Sequence, residues 1–207
     1  MEFTTRLKVG QDSTENVTSS IENHVGTISV KQITDDSAEN VQQAIEDLTA
    51  QGATSFVLDL RNCAGGYISQ AIKIADMFLS SGNICAFQTA SGIDKYDATE
   101  SVVTNHPVVC LVNSGTSAEA EVIAGALKYA GSQQLVGEKT AGSSTVQATI
   151  KMSFGGAVRL SAGRYLLMNG DVDFEGNGVK PTVEATNSGR TDNQLKVAKQ
   201  IAANSAN

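Results

Sequence analysis

The residues able to do chemistry in this chain gather in two stretches, residues 59–66 (DLRNCAGG) and residues 112–147 (VNSGTSAEAEVIAGALKYAGSQQLVGEKTAGSSTVQ). The second reads as a strand end, a polar turn, an amphipathic helix, a short strand and a glycine-serine loop. A strand-turn-helix presents a side chain at a helix N-terminus, where free backbone N–H groups can hold a developing oxyanion, as acyl transfer requires. Near that turn the nucleophile candidates are the Ser117 hydroxyl and the Cys63 thiol, and Lys139 is the candidate base. Gly65 and Gly66 would let backbone approach a ligand closely, and Glu119 opens the helix on the other side of the cleft. The turn also has a reading without chemistry. Thr116 as N-cap and Glu119 three residues on form a capping box, and the helix behind them turns Val122, Ile123, Ala126 and Leu127 inward. His24 and His106 stand in polar surroundings with no recognisable triad context and are expected at the surface.

These segments resemble the S41 family of serine peptidases, the C-terminal processing or tail-specific proteases. Their core carries VN-x-G-[ST]-A-S-A-x-E-I-x-A-G-A-L, then V-G-E-x-T-x-G-K-x-T-V-Q, and a D-L-R-x-N-x-G-G loop. Without gaps, the chain keeps Val112, Asn113, Gly115, Glu121 and residues 124–127 of the first, then Val136, Gly137, Glu138, Thr140, Gly142, Thr145, Val146 and Gln147 of the second. The departures cluster at Ser117, Ala118, Glu119 and Ser143. The resemblance puts the family's nucleophilic serine on Ala118 and its general-base lysine on Ser143, 25 positions apart as in the pattern. Gln147 falls on the glutamine that orients that lysine, and Gly65 and Gly66 fall on the loop that contributes an oxyanion donor.

A methyl group cannot attack a carbonyl, and a serine hydroxyl titrates far too high to act as a base near neutrality. Losing members of such a unit typically costs on the order of 10⁴ to 10⁶ in turnover. The expectation is therefore an S41 scaffold without proteolysis that retains a cleft for polypeptide C-terminal segments, since pairing along a sheet edge needs neither the serine nor the lysine. Two alternatives stand beside it. One is an active serine endopeptidase using displaced residues such as Ser117 with Lys139, or Cys63 as a relocated nucleophile; the other is a structural or oligomerisation module.

The elements that must position these groups alternate between strands and helices, which predicts an α/β fold. Strands are expected at residues 25–30, 54–60, 84–88 and 107–112. A helix follows Asp36, with Asp36 and Glu39 as a capping box and Val41, Ala44, Ile45 and Leu48 on one face up to a stop at Gly52. A second helix carries Ile68, Ala71, Ile72, Ala75 and Leu79. Residues 90–105 read as a hairpin or surface loop, and residues 146–160 as a hairpin around Gly155-Gly156. A last helix spans 191–203, capped by Thr191 with Gln194. The resemblance runs over about residues 25–185 and implies a ClpP/crotonase-like layered sheet with helices as the core, residues 21–207. Residues 1–20 read as a leader, with Phe3 to Leu7 suited to a strand and residues 11–20 to a polar loop; the resemblance implies the end of a PDZ domain there, with a linker as the alternative.

Composition bounds the partners. The 207 residues carry a net charge of −7 and a pI near 4.8, with no basic stripe, so nucleic acid and anionic membrane are poor partners. Hydrophobic content of 41% suffices for a sizeable core, and no apolar run approaches the roughly 20 residues of a membrane span. No signal-peptide pattern opens the sequence. Cys63, Cys85 and Cys110 have neither metal-ligand spacing nor an even count, so neither a metal nor a disulfide framework is expected, and no cofactor is implied. The family resemblance implies an extracytoplasmic bacterial location and a polypeptide as ligand or substrate, and it is compatible with a homo-oligomer.

Overall fold

The computed structural model describes residues 16–131 and 133–206. The expected strand at Phe3 to Leu7, and with it the PDZ remnant, lies outside these residues.

Strands β2 (Val25–Val30), β3 (Ser55–Asp59), β6 (Val108–Val112), β7 (Gln134–Gly137) and β10 (Val183–Glu184) form a parallel run, with β1 (Val17–Glu22) antiparallel at its edge; the order is β1-β2-β3-β6-β7-β10. Every residue of β3 and β6 is buried, as largely apolar strands covered on both faces should be. Their side chains alternate between two cores. Phe56, Leu58, Cys110 and Val112 pack on one side with helices α1 (Ser37–Ala50), α2 (Ile68–Asp76) and α3 (Glu119–Tyr129). On the other side Val57, Val109, Leu111 and Val136 meet Ala198 and Ala202 of helix α4 (Asn193–Ser205). A second, antiparallel sheet runs β5-β4-β9-β8, from β4 (Asn83–Thr89), β5 (Gly92–Asp97), β8 (Thr145–Lys151) and β9 (Ala157–Leu166). Its β4–β5 pair makes the segment after residue 90 a hairpin, and the β8–β9 hairpin turns at Gly155 and Gly156, both at positive φ.

Several sequence expectations need correction. Residues 17–20 are not loop: they open β1, whose Val17 and Ile21 pack on the core while Ser19 and Ser20 face out. An edge strand half in water needs few apolar residues, so its polar composition resembled a linker, and the expected boundary at residue 20 falls within it. Asp36 does precede α1 but caps no helix N–H with its side chain, because its Oδ1 accepts the Thr34 hydroxyl at 2.6 Å. At α4 the cap is Asp192, not Thr191: its Oδ1 accepts the Leu195 N–H at 3.0 Å, while Gln194 is buried and donates to the Ala185 carbonyl. A carboxylate is the stronger acceptor of the two neighbours. It is held in place by Arg61, whose two terminal nitrogens reach the Asp192 oxygens at 2.7 and 2.9 Å.

Parallel pairing fixes where chemistry can occur. Asp59 pairs with Leu111, and Val112 with Gly137, so the chain leaves β3, β6 and β7 side by side at their carboxyl ends. The loops that follow, residues 60–66, 113–118 and 138–144, therefore meet, as carboxyl-end loops of parallel sheets do.

Candidate active site

The first two loops are zipped together by short-range polar contacts. The Asn62 N–H and the Gly115 N–H both donate to Asn113 Oδ1, at 2.9 and 3.0 Å, and Asn113 Nδ2 donates to Asn62 Oδ1 at 3.0 Å. The Ser117 N–H donates to the Cys63 carbonyl at 2.9 Å. Thr116 is buried and donates its hydroxyl to the Leu60 carbonyl at 2.8 Å. That bond corrects the expected capping box: the Thr116 hydroxyl is spent across the loops, and α3 begins three residues later at Glu119 with Ala118 in the N-cap position.

Ala118 has φ 54° and ψ −122°. An L-residue with a side chain seldom adopts that conformation, which costs on the order of 1–3 kcal/mol and persists only where the surroundings over-determine it. It is the geometry of a sharp strand-to-helix turn that projects one side chain, the form in which hydrolases present a nucleophile. Here the projected group is a methyl.

Glu121, at the third position of α3, joins this turn to the third loop. Its carboxylate is fully buried and accepts four hydrogen bonds: from the Thr140 hydroxyl and the Gly142 N–H (2.7 Å) on Oε1, and from the Ala118 N–H (3.0 Å) and the Ser143 N–H (2.7 Å) on Oε2. The amides of Ala118 and Ser143 thus donate to a single oxygen atom, which brings the two positions together across 25 residues of sequence. A first-turn carboxylate is also favoured by the positive end of the helix dipole. A second carboxylate holds the same loop from outside: Glu175 Oε2 accepts the N–H and hydroxyl groups of both Ser144 and Thr145, at 2.7 to 3.1 Å. Burial alone would raise the Glu175 pKa, but these bonds outweigh it and hold the carboxyl below the usual range.

The glycine loop closes the other side. Gly65 and Gly66 both have positive φ, at 87° and 148°. A Cβ on Gly65 would lie 2.9 Å from the Ala118 Cβ and would collide with Glu119 Oε2, and one on Gly66 would collide with the Ile33 carbonyl. Only glycine allows this approach. The Gly66 N–H is not free: it donates to Glu119 Oε2 at 2.9 Å. Glu119 therefore reaches across the mouth of the turn rather than back onto its own helix. Tyr165 lies near it, its hydroxyl pKa pushed up by burial and then by the Glu119 charge.

The remaining candidates are placed less favourably for chemistry. Ser117 is half-buried and stands one position before the strained residue, outside the helix that begins at Glu119. Lys139 and Gln147 are exposed, and no hydrogen bond joins Lys139 to Ser117 among the described residues. Cys63 is fully buried, and its thiol is pushed up first by burial, which outweighs the opposing hydrogen bond from the Gly65 N–H, and further by the Glu119 charge. A nucleophilic thiol needs the opposite shift. His24 bonds the Gly52 carbonyl at 2.9 Å and His106 stands 6.1 Å from the Phe56 ring, both exposed as expected. Among the described residues no three His, Cys, Asp or Glu side chains gather as metal ligands would.

Glu121 was matched as a pattern residue in the sequence, but its role was not read there. The available signal was a carboxylate inside a run of eight buried helix residues, 120–127, since a charge at such a position requires donors.

The model of peptidase family S41 matches residues 24–185. The chain belongs to peptidase family S41. It is 32% identical over 166 residues to the carboxy-terminal processing protease CtpA of Bacillus subtilis (strain 168), covering 79% of this chain and 35% of that protein. It is 37% identical over 145 residues to the chloroplastic C-terminal processing peptidase of Tetradesmus obliquus, covering 69% and 31%. Among solved structures, the photosystem II D1 C-terminal processing protease matches with a TM-score of 0.78 at 28% identity, over 91% of this chain and 53% of that one. This S41 chain thus spans about a third of the length of these two curated relatives. The family is one of serine-type peptidases, and the α/β expectation stands. No helix among the described residues is long and apolar enough to cross a membrane.

Proposed function

We propose that this S41 domain does not hydrolyse peptide bonds and serves as a binding cleft for polypeptide C-terminal segments. The observation that carries the reading is the shared Glu121 oxygen: the frame that would set a nucleophile beside its base is built, with a methyl at Ala118 and a hydroxyl at Ser143. A frame costing strain and four donors gathered on one buried carboxylate is kept while the reacting atoms are absent. Polypeptide recognition needs only the frame, because main-chain pairing supplies affinity. An extracytoplasmic location in a bacterium goes with this reading, as do a peptide ligand and a core that begins with β1 beyond a PDZ-linked leader.

The test is incubation with a fluorescently labelled unfolded protein, alongside anisotropy measurements on a broad library of unstructured peptides. The expected result is no cleavage above buffer, with saturable binding of a subset of the peptides. Cleavage that disappears in Ser117→Ala would replace the reading with a working endopeptidase, and absence of binding throughout the library would leave a structural module.

A further inference from the structure

We infer that Glu119 is a third block in this site, a resident carboxylate that occupies the backbone where an oxyanion would be held, so that restoring a nucleophile and a base alone leaves the domain nearly inert. The inference rests on the silent-scaffold reading above and adds to it a residue that the loss of serine and lysine does not explain.

The geometry is local. Ala118 Cβ and Glu119 Oε2 both press on the same side of Gly65, on which neither leaves room for a methyl group. A nucleophile at position 118 would extend from that Cβ, and the carbonyl it attacked would turn its oxygen toward the N–H groups at the start of α3 and in the glycine loop. One of those donors, the Gly66 N–H, is already bonded to Glu119 Oε2 at 2.9 Å. A developing oxyanion would lose that donor and face a negative charge at close range. In the S41 pattern this position is alanine, whose methyl leaves the donors open. Glu119 is a departure directly beside the other one, and its effect is electrostatic and steric at once. Its half-exposed carboxylate, bonded into the loop on one side and reaching solvent on the other, stays in place without needing to be desolvated.

The size of the effect follows from what one such donor contributes. Removing a single oxyanion-hole donor typically lowers turnover by about 10² to 10³. The experiment compares three proteins on the labelled unfolded substrate: the unaltered chain, the pair Ala118→Ser with Ser143→Lys, and the triple that adds Glu119→Ala. Cooperative melting of each confirms that it is folded. The triple is expected to cleave at least about 100-fold faster than the pair. Equal rates in the pair and the triple, whether both fast or both undetectable, would overturn the inference. If Glu119→Ala prevents folding, Glu119→Gln takes its place in the triple, since it removes the charge and keeps the shape. A rise of about tenfold or more over the pair is then expected, and no rise overturns the inference. Failure of the silent-scaffold reading shows elsewhere, as cleavage by the unaltered chain, and leaves the pair-against-triple comparison to be read separately.

Discussion

Two carboxylates two residues apart at the start of α3 do opposite things. Glu121 points into the protein, is fully buried, and gathers four donors from the turn at Ala118 and the loop at residues 140–143. Glu119 points out, is half-exposed, and bonds the Gly66 N–H across the mouth of the site. The inner carboxylate matches the family pattern and the outer one departs from it. The contrast separates two kinds of constraint on one helical turn. The floor of the site is held by stability, because the donors around Glu121 would otherwise be left unpaired, whereas its mouth is free to vary if, as proposed above, the domain no longer hydrolyses peptide bonds.

The contrast can be broken most directly by removing each carboxylate in turn. Glu121→Ala orphans the Ala118, Gly142 and Ser143 amides and the Thr140 hydroxyl together, and is expected to destabilise the domain by about 3–5 kcal/mol. Glu119→Ala loses one bond at a half-exposed site and is expected to cost about 1 kcal/mol or less. Urea unfolding midpoints compare the two. Similar costs would mean that Glu121 has no special place in the floor.

A smaller effect sharpens the same point at the turn itself. Ala118 sits at φ 54°, a conformation glycine adopts freely and alanine does not. Ala118→Gly gains relief of about 1–3 kcal/mol and loses about 0.5–1 kcal/mol through the greater freedom of its unfolded chain. The net expectation is stabilisation of about 1 kcal/mol, read as a rise in melting temperature. A fall would mean that the methyl contacts with the glycine loop outweigh the strain.

Much of this frame was legible before any coordinates. The largely apolar strands at 55–59 and 108–112, the periodic helix at Val41, Ala44, Ile45 and Leu48, and the Gly155-Gly156 hairpin follow from burial and turn chemistry acting within a few residues. The gapless pattern around Ala118 and Ser143 placed both in one site. What stayed hidden depends on partners distant in sequence. Thr116 looked like a cap because its bond to the Leu60 carbonyl spans 56 residues, and Asp192 outcompetes Thr191 because Arg61 arrives from 131 residues away. Cys63 looked available because a glycine loop is normally open, yet here the loop is packed against α3 and the thiol is buried. No spacing rule could have told that Glu119 would face the loop and Glu121 the floor.

The smallest effect concerns acid, and it asks whether the loop at residues 143–145 depends on Glu121 alone. Glu175 holds that loop from the solvent side with its carboxyl pKa lowered, and Asp192, bonded first of all by Arg61, is lowered too. Asp173 is also lowered: burial opposes this, but the Glu175 N–H and Arg164 prevail. Groups whose folded pKa is depressed contribute stability that is complete above their unfolded values, near 4, and is lost as pH falls through the folded values. The melting temperature should therefore be nearly flat from pH 7 to about 4.5 and decline below that. Each of these carboxylates is largely open to water and screened, so each share of the decline is small. Glu175→Gln should make the decline shallower while leaving the plateau only slightly lower, since an amide oxygen still accepts from Ser144 and Thr145 but has no charge to titrate. If the curve keeps its slope, the outer carboxylate contributes nothing through its charge, and the loop that carries Ser143 is held electrostatically from the buried side only, by Glu121.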